Sequence, residues 1–204
     1  MRIPFLRPNP PKLSNLNLEL RQIEESGIFT NYGPVNTCLV NRLFGGLGQC
    51  VTVCNGTIGL MLAIRHVVGS TPDPRRRYAL MPSFTFAATA HAALWVGLRP
   101  LLSDIDPATW VSSAGSEEER LHKFAGEVAV VVPCATFGTS LNLEHYSQIS
   151  REHRIPIVVD AASSLGSRDK SGRQFGAGFS QPVVFSMHAT KTFATAELWR
   201  DERD

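Results

Sequence analysis

The sequence predicts an α/β fold in which a mostly parallel sheet is sandwiched by helices. Short β-branched runs alternate with helical patterns along most of the 204 residues. This alternation is typical of parallel strands that are joined by right-handed crossover helices. Residues 128–132 are apolar at every position, which indicates a strand that helices cover on both faces.

The order of elements follows from apolar periodicity. Six segments are predicted as strands, namely residues 50–53, 78–81, 100–103, 128–133, 157–159 and 183–186. Helices are predicted between them at residues 57–68, 85–96, 116–124 and 142–153. An earlier apolar stripe at helical spacing ends at Gly27, and a turn-rich segment follows over residues 29–34. Ser116 and Glu119 have the spacing of a capping box, which predicts the start of the third helix.

The composition is that of a globular protein, with 43% hydrophobic and 19% charged residues. The net charge of +2 indicates no electrostatic surface for nucleic acid or for an anionic membrane. Residues 79–98 lack Asp, Glu, Lys and Arg, but Pro82 and His91 favour a strand, a turn and a helix over a membrane span. We expect no membrane segment and no signal peptide. Four cysteines without CxxC spacing indicate free thiols in a reducing cytoplasm.

Residues that follow the strands are the first candidates for a site, because ligands of such folds bind beyond the carboxyl ends of the strands. Asn55, Gly56 and Thr57 lead into a helix whose free N–H groups could hold a phosphate. A plain turn with Thr57 as the helix cap is the alternative. Phe84 and Phe86 stand at the start of the next helix, where they could offer a flat face to a ring or simply join the core.

Two charged residues complete this set. Asp160 follows an apolar strand, where a carboxylate is costly to bury without a partner; a cationic ring nitrogen or a helix N-terminus could be that partner. Lys191 follows Ser186 and His188 in the turn after the last strand, and a lysine that forms a Schiff base needs such burial. An exposed loop lysine is the alternative. These features together predict a pyridoxal-phosphate site. They are a phosphate-binding helix start, an aromatic face, a carboxylate and a lysine, each at its own strand end.

Seven segments in order carry a resemblance to a known family: residues 27–30, 32–34, 55–57, 82–89, 104–106, 159–162 and 185–191. With these segments the sequence resembles the DegT/DnrJ/EryC1/StrS family of sugar aminotransferases, which are fold-type I pyridoxal-phosphate enzymes. The resemblance implies a homodimeric enzyme that passes an amino group from glutamate to a keto nucleotide-sugar. Such products serve the biosynthesis of polysaccharides, surface glycans or antibiotic sugars.

The same resemblance assigns roles to individual residues. The phosphate would be bound by Gly56, Thr57 and Ser186. Phe86 would stack on the pyridine ring, Asp160 would pair with the ring nitrogen, and Lys191 would hold the cofactor and move the proton. Ser163 stands where family members usually have Gln or His beside the phenolic oxygen of the cofactor, so its shorter side chain is a departure from the family pattern.

A second departure concerns the domain organisation. Residues 1–197 are expected to form an incomplete N-terminal large domain that binds the cofactor, and residues 198–204 a tail that does not match the family. The C-terminal domain of the family is missing from the sequence. The alternative to an active aminotransferase is therefore a catalytically inactive, truncated remnant, and we expect little activity from the chain alone.

Other enzyme classes lack their motifs. Gly45, Gly46 and Gly48 precede the first predicted strand instead of following it, which is the wrong context for a dinucleotide fingerprint. Neither the HExxH pattern of zinc proteases nor the GxSxG pattern of serine hydrolases occurs. Some relatives with His in place of the lysine are sugar dehydratases, so Lys191 favours transamination.

Overall fold

A computed structural model describes residues 12–30, 32–45, 50–70 and 73–194. Its strands are β1 (Tyr78–Pro82), β2 (Arg99–Ser103), β3 (Val128–Val131), β4 (Val159–Asp160) and β5 (Val183–Val184). Its α-helices are α1 (Asn17–Ser26), α2 (Pro34–Phe44), α3 (Gly56–Val68), α4 (Ala87–Trp95), α5 (Ala114–Lys123) and α6 (Leu143–His153). Two 3-10 turns lie at Leu13–Leu16 and Thr136–Gly138. The predicted tail at residues 198–204, and with it the boundary at residue 197, lies outside the described residues.

All strand pairs are parallel. One sheet has the order β2-β1-β3, and β4 pairs with β5 in a second sheet. Parallel bridges from Val131 to Ile157 and from Cys134 to Asp160 connect the two sheets into one run. The carboxyl ends of the five strands therefore face the same edge. The predicted α/β fold with a mostly parallel sheet is confirmed.

Helices cover both faces of this sheet, as the apolar strands predict. Ala79 and Met81 of β1 point to one side, where they pack in a cluster with Leu60 of α3 and Ala92 of α4. Leu80 points to the other side and packs with side chains from α5 and α6. Alternate residues of one strand thus feed two separate cores, because successive side chains of a strand point to opposite faces.

The four helices predicted between strands are present, but the capping box is not. Helix α5 begins at Ala114 with Ser113 at its N-cap, so Ser116 lies inside the first turn. Its hydroxyl instead accepts a hydrogen bond from the backbone N–H of Asp104, at 2.8 Å. Helix α2 was not predicted, although Gly33 followed by Pro34 is a suitable helix start, since proline is favoured at the first helical position.

The predicted first strand, residues 50–53, is wrong. This segment has no regular structure, although its β-branched residues are typical of a strand. Val51 and Val53 line a cavity of about 1040 Å³ whose other walls include Val183 and Val184 of β5. A strand is defined by the hydrogen bonds to its neighbour, and within the described residues this segment borders the cavity and pairs with no strand.

None of the described helices is long and apolar enough to cross a bilayer. In residues 12–30, 32–45, 50–70 and 73–194, no group of His, Cys, Asp and Glu side chains could hold a metal ion. The cysteines are all unpaired in the structure.

A buried carboxylate connects α5 to α6, away from the strand ends. Glu117 is 1% exposed, and its Oε1 accepts a hydrogen bond from the Tyr146 hydroxyl at 3.2 Å. Nε2 of His145 lies 3.5 Å from Oε2 of the same carboxylate. Interaction with Glu117 raises the pKa of His145 above its usual value, and the charges of Glu118 and Glu152 act in the same direction.

The stability that His145 contributes should therefore fall as the pH rises. A histidine with a raised pKa in the folded state contributes stability that is complete below its unfolded pKa of about 6.5. The contribution disappears as the pH passes the higher folded pKa. The free energy of unfolding from urea titrations should be larger at pH 6 than at pH 8.5, and His145→Gln should reduce this difference.

The matched control is His91→Gln, which changes an exposed histidine on α4 and should leave the pH dependence as it is. An equal pH dependence in the wild type and in His145→Gln would show that the contact with Glu117 does not contribute.

Candidate active site

Most of the candidate residues lie at the carboxyl edge of the sheet because they follow a parallel strand or precede the helix after it, while Gly56 begins a helix that follows a segment without regular structure. Asp160 ends β4, and the segment with Ser186 and Lys191 follows β5. Gly56 is the first residue of α3, and Phe86 immediately precedes α4. A parallel sheet brings these residues together although they are far apart in sequence.

Asp160 is the most deeply buried charged group at this edge, with 3% of its surface exposed. The Thr89 hydroxyl donates to its Oδ2 at 2.6 Å, and the backbone N–H of Ala162 donates to its Oδ1 at 3.1 Å. No Lys or Arg of the described ranges forms an ion pair with it. Burial raises the pKa of Asp160, and the hydrogen bonds and the charge of Lys191 only partly offset this effect.

The interpretation of Asp160 as a helix N-cap is not supported, because a turn follows it instead of a helix. One of its oxygens, Oδ2, is held by Thr89, which sequence reasoning missed. Thr89 is completely buried and lies 2.7 Å, hydroxyl to hydroxyl, from Thr85. Thr85 lies before α4, so the spacing of the two threonines gave no signal of this contact.

Lys191 lies beside Ser163. The Lys191 ammonium donates to the Ser163 hydroxyl over 3.3 Å, and the backbone N–H of Lys191 bonds to the carbonyl of His188 at 2.8 Å. The side chain is half-buried, so the interpretation as a freely exposed loop lysine does not hold. The structure thus brings together two of the predicted residues that are 28 positions apart.

A polar corner lies between α3 and the segment after β5. A Cβ added at Gly56 would lie 3.4 Å from Cβ and 3.6 Å from Oγ of Ser186, so the helix N-terminus and this serine are neighbours. Asn55, not Thr57, caps the helix by accepting from the N–H of Ile58 at 2.9 Å. The capping alternative for Thr57 is therefore wrong, and its half-buried side chain stands in the first turn beside Gly56.

Phe86 is 78% exposed. The interpretation of this ring as a core side chain is therefore wrong. It stands next to Thr85, whose hydroxyl leads through Thr89 to Asp160. A large ring in water at this position is available to another flat group.

Cys134 is a further site residue that sequence reasoning treated as a simple thiol. It pairs with Asp160 in a parallel bridge directly after β3. Burial, and then the negative charge of Asp160, raise the pKa of the Cys134 thiol to about 11. Its position after a strand was the signal that could have identified it.

These residues fit pyridoxal phosphate. Asp160 is a buried carboxylate without an ion-pair partner among the described residues, which suits the cationic nitrogen of a pyridine ring. The corner at Gly56 and Ser186 offers a helix N-terminus and a hydroxyl to a phosphate. Lys191 supplies an amine whose charge acts on Asp160, and Phe86 supplies an exposed aromatic face.

Solved structures with the same fold support this assignment. A Bacillus cereus protein classed as a candidate PLP-dependent aminotransferase superimposes with a TM-score of 0.86 and 39% identity, over 95% of this chain and 52% of that one. The structure of DesI with its TDP-sugar product gives a TM-score of 0.76 and 31% identity, over 91% and 45% of the two chains. Together with a match of residues 13–198 to the model of an aminotransferase family, these similarities indicate pyridoxal phosphate as the cofactor.

Curated relatives extend the similarity. Protein Rv3402c of Mycobacterium tuberculosis is 36% identical over 96% of this chain and 48% of its own length. The dTDP-4-amino-4,6-dideoxy-D-glucose transaminase of Shigella dysenteriae is 30% identical over 94% of this chain and 50% of its own. The chain thus spans about half the length of these relatives. Residues 13–198 match the family model, and the chain belongs to the DegT/DnrJ/EryC1/StrS aminotransferase family.

Proposed function

We propose that this chain carries the cofactor-binding part of an aminotransferase that passes an amino group to a keto nucleotide-sugar. The observation that carries the proposal is the buried Asp160, which forms no ion pair within the described residues and lies at the same strand edge as Lys191. A packing role alone would not require a carboxylate at this edge, because burial of a charge without an ion pair is destabilising.

Each residue then has a separate task. Bound pyridoxal phosphate supplies an electron-accepting ring and a carbon that carries the amino group between donor and acceptor. Asp160 holds the proton on the ring nitrogen, and Thr89 orients the carboxylate for this purpose. Lys191 anchors the cofactor and moves a proton as general base and acid. Gly56, Thr57 and Ser186 bind the phosphate, Phe86 packs on the ring face, and Ser163 orients Lys191.

The substrate class comes from the relatives. The Shigella dysenteriae relative is named for a dTDP-linked amino sugar, and a Pseudomonas aeruginosa relative, 29% identical over 69% of this chain, for a UDP-linked oxo sugar. We propose the same class of acceptor here, with glutamate as the donor, in the biosynthesis of a glycan or an antibiotic sugar. We further propose a homodimer in the cytoplasm, a compartment in which the unpaired cysteines would stay reduced.

A second candidate is a chain that binds the cofactor without turning over a substrate. Ser163 favours it, because its side chain is shorter than the Gln or His that family members usually have beside the phenolic oxygen of the cofactor. Glutamate-dependent amination of a 4-keto nucleotide-sugar, measured with cofactor-saturated protein, separates the two candidates. Product formation supports the aminotransferase, and bound cofactor without product supports the second candidate.

Lys191 should be the residue that holds the cofactor covalently. Protein incubated with pyridoxal phosphate should absorb visible light, and borohydride treatment followed by peptide mapping should place the cofactor mass on Lys191. Lys191→Ala should abolish the label. Lys170→Ala, which removes an exposed lysine in a turn, is the control and should leave the label intact. A label on any other lysine would contradict the assignment.

Asp160→Asn should keep the cofactor but lose most of the amino transfer. An amide of the same size can stay in the site formed by Thr89 and Ala162, but it cannot hold the ring nitrogen in its protonated form. We expect the transfer rate to fall on the order of 10²-fold, as for the loss of one preorganised electrostatic group. Asp169→Asn, which changes a half-buried turn carboxylate paired with Arg173, is the matched control. Transfer by Asp160→Asn at the rate of this control would refute the proposed role.

A further inference from the structure

Three aromatic side chains meet at the strand edge outside the cofactor residues. Phe84, Trp110 and Phe137 form this aromatic triad. The Phe84 and Trp110 rings are 5.1 Å apart between centroids, and the Phe137 ring lies 6.0 Å from Phe84 and 6.1 Å from Trp110. The ring planes are inclined by 57–65°. They therefore form a corner with open ring faces, in contrast to a closed stack.

The triad is exposed, and its backbone is strained. Trp110 is 46% exposed and Phe137 is 77% exposed. Both have left-handed backbone conformations, with φ of 63° and 54°. Non-glycine residues rarely adopt this region, and such strain is concentrated at functional sites. Neither solvation nor backbone preference therefore explains why large rings stand at these two positions.

The loop that carries Trp110 is held by hydrogen bonds. Asp106 holds the Trp110 loop by accepting hydrogen bonds from the N–H groups of Ala108 and Thr109, at 2.8 and 2.9 Å, while its carbonyl accepts from the N–H of Trp110 at 2.8 Å. Strained residues persist only when the structure around them is rigid, and this loop provides such support.

The triad also borders the proposed reaction centre on two sides. Phe84 precedes Thr85, which begins the hydroxyl chain to Asp160. Phe137 precedes Gly138, where an added Cβ would lie only 2.9 Å from the carbonyl oxygen of Ser163. The same Ser163 bonds to Lys191. A molecule that extends from Lys191 past Ser163 would therefore meet Phe137 of the triad.

We propose that the aromatic triad is a stacking site for the nucleobase of the nucleotide-linked sugar, with the Phe137 ring as its main face. The inference rests on the proposed function, since the sugar must reach Lys191 while its nucleotide extends away. A pyrimidine base is the flat part of the dTDP- and UDP-linked sugars for which relatives of this chain are named. Aromatic side chains bind such bases through their π-faces without requiring a specific hydrogen-bond pattern.

The test compares ligands with and without a base. Isothermal titration of cofactor-loaded protein should measure the affinities of thymidine diphosphate, uridine diphosphate and pyrophosphate. Phe137→Gly should weaken binding of both nucleotides by roughly five-fold to 100-fold, the effect expected for loss of one stacking ring. Binding of pyrophosphate should not change. Phe137→Tyr, which keeps the ring, should bind the nucleotides almost as the wild type does.

Phe137→Gly is chosen because it removes the ring without adding strain. Glycine adopts a φ of 54° at no steric cost, so the melting temperature should stay the same or rise. Trp95→Ala is the matched control, since it removes a 72% exposed ring at the end of α4 and should not alter nucleotide binding.

Several outcomes would overturn the inference. These are equal nucleotide affinities in the wild type and in Phe137→Gly, an equal loss for pyrophosphate, or no nucleotide binding at all. A change in sedimentation for Phe137→Gly without loss of nucleotide binding would assign the rings to contact with a second copy instead. The peptide map separates this inference from the proposed function. Label on Lys191 with unaltered nucleotide affinity rejects only the stacking site, and ring-dependent nucleotide binding without that label rejects only the aminotransferase assignment.

Discussion

The proposed site depends on a buried carboxylate that forms no ion pair within the described residues. Asp160 lies at the end of β4, where two hydrogen-bond donors hold it and burial raises its pKa. Such a group destabilises the free chain, because desolvation disfavours the charged form. The arrangement makes physical sense when a cation completes it, and we propose the ring nitrogen of pyridoxal phosphate as that cation. In this proposal the chain gives up some stability of the free state for affinity and electron withdrawal in the bound state.

The parallel sheet makes this arrangement possible. The bridge between Cys134 and Asp160 sets the register of the strand ends, and the first turn of α4 carries Thr89 to the carboxylate. The loops that follow β3 and β4 pack closely, since a Cβ added at Gly138 would lie only 2.9 Å from the carbonyl oxygen of Ser163. Exposure increases from the core to solvent, from the buried Thr89 hydroxyl through the half-buried Lys191 to the exposed rings of the aromatic triad. The proposed reaction centre and the proposed nucleobase site therefore lie at the same edge of the sheet.

Sequence reasoning could predict the residues that follow strands, because a parallel sheet places them at one edge whatever their separation in the chain. Asp160, Ser186 and Lys191 were identified in this way. Thr89 was not, since a threonine inside a helix shows no sign in sequence of what its hydroxyl contacts. Residues 50–53 were predicted as a strand from their local composition. That composition carries no information about whether a neighbouring strand is present to pair with them. Ser116 fitted a capping box, but its hydroxyl bonds to Asp104 on another segment, a contact that only the folded chain reveals.

The most direct test of the central claim is the pKa of the Asp160 carboxyl, measured by carbon NMR in the free and cofactor-bound chain. We expect a pKa above the usual range in the free chain, because burial is not compensated by an ion pair. Binding of pyridoxal phosphate should lower it strongly, since a cationic ring nitrogen favours the carboxylate. A normal pKa in the free chain, or a pKa that cofactor binding leaves unchanged, would contradict the account of Asp160 as the partner of the ring nitrogen.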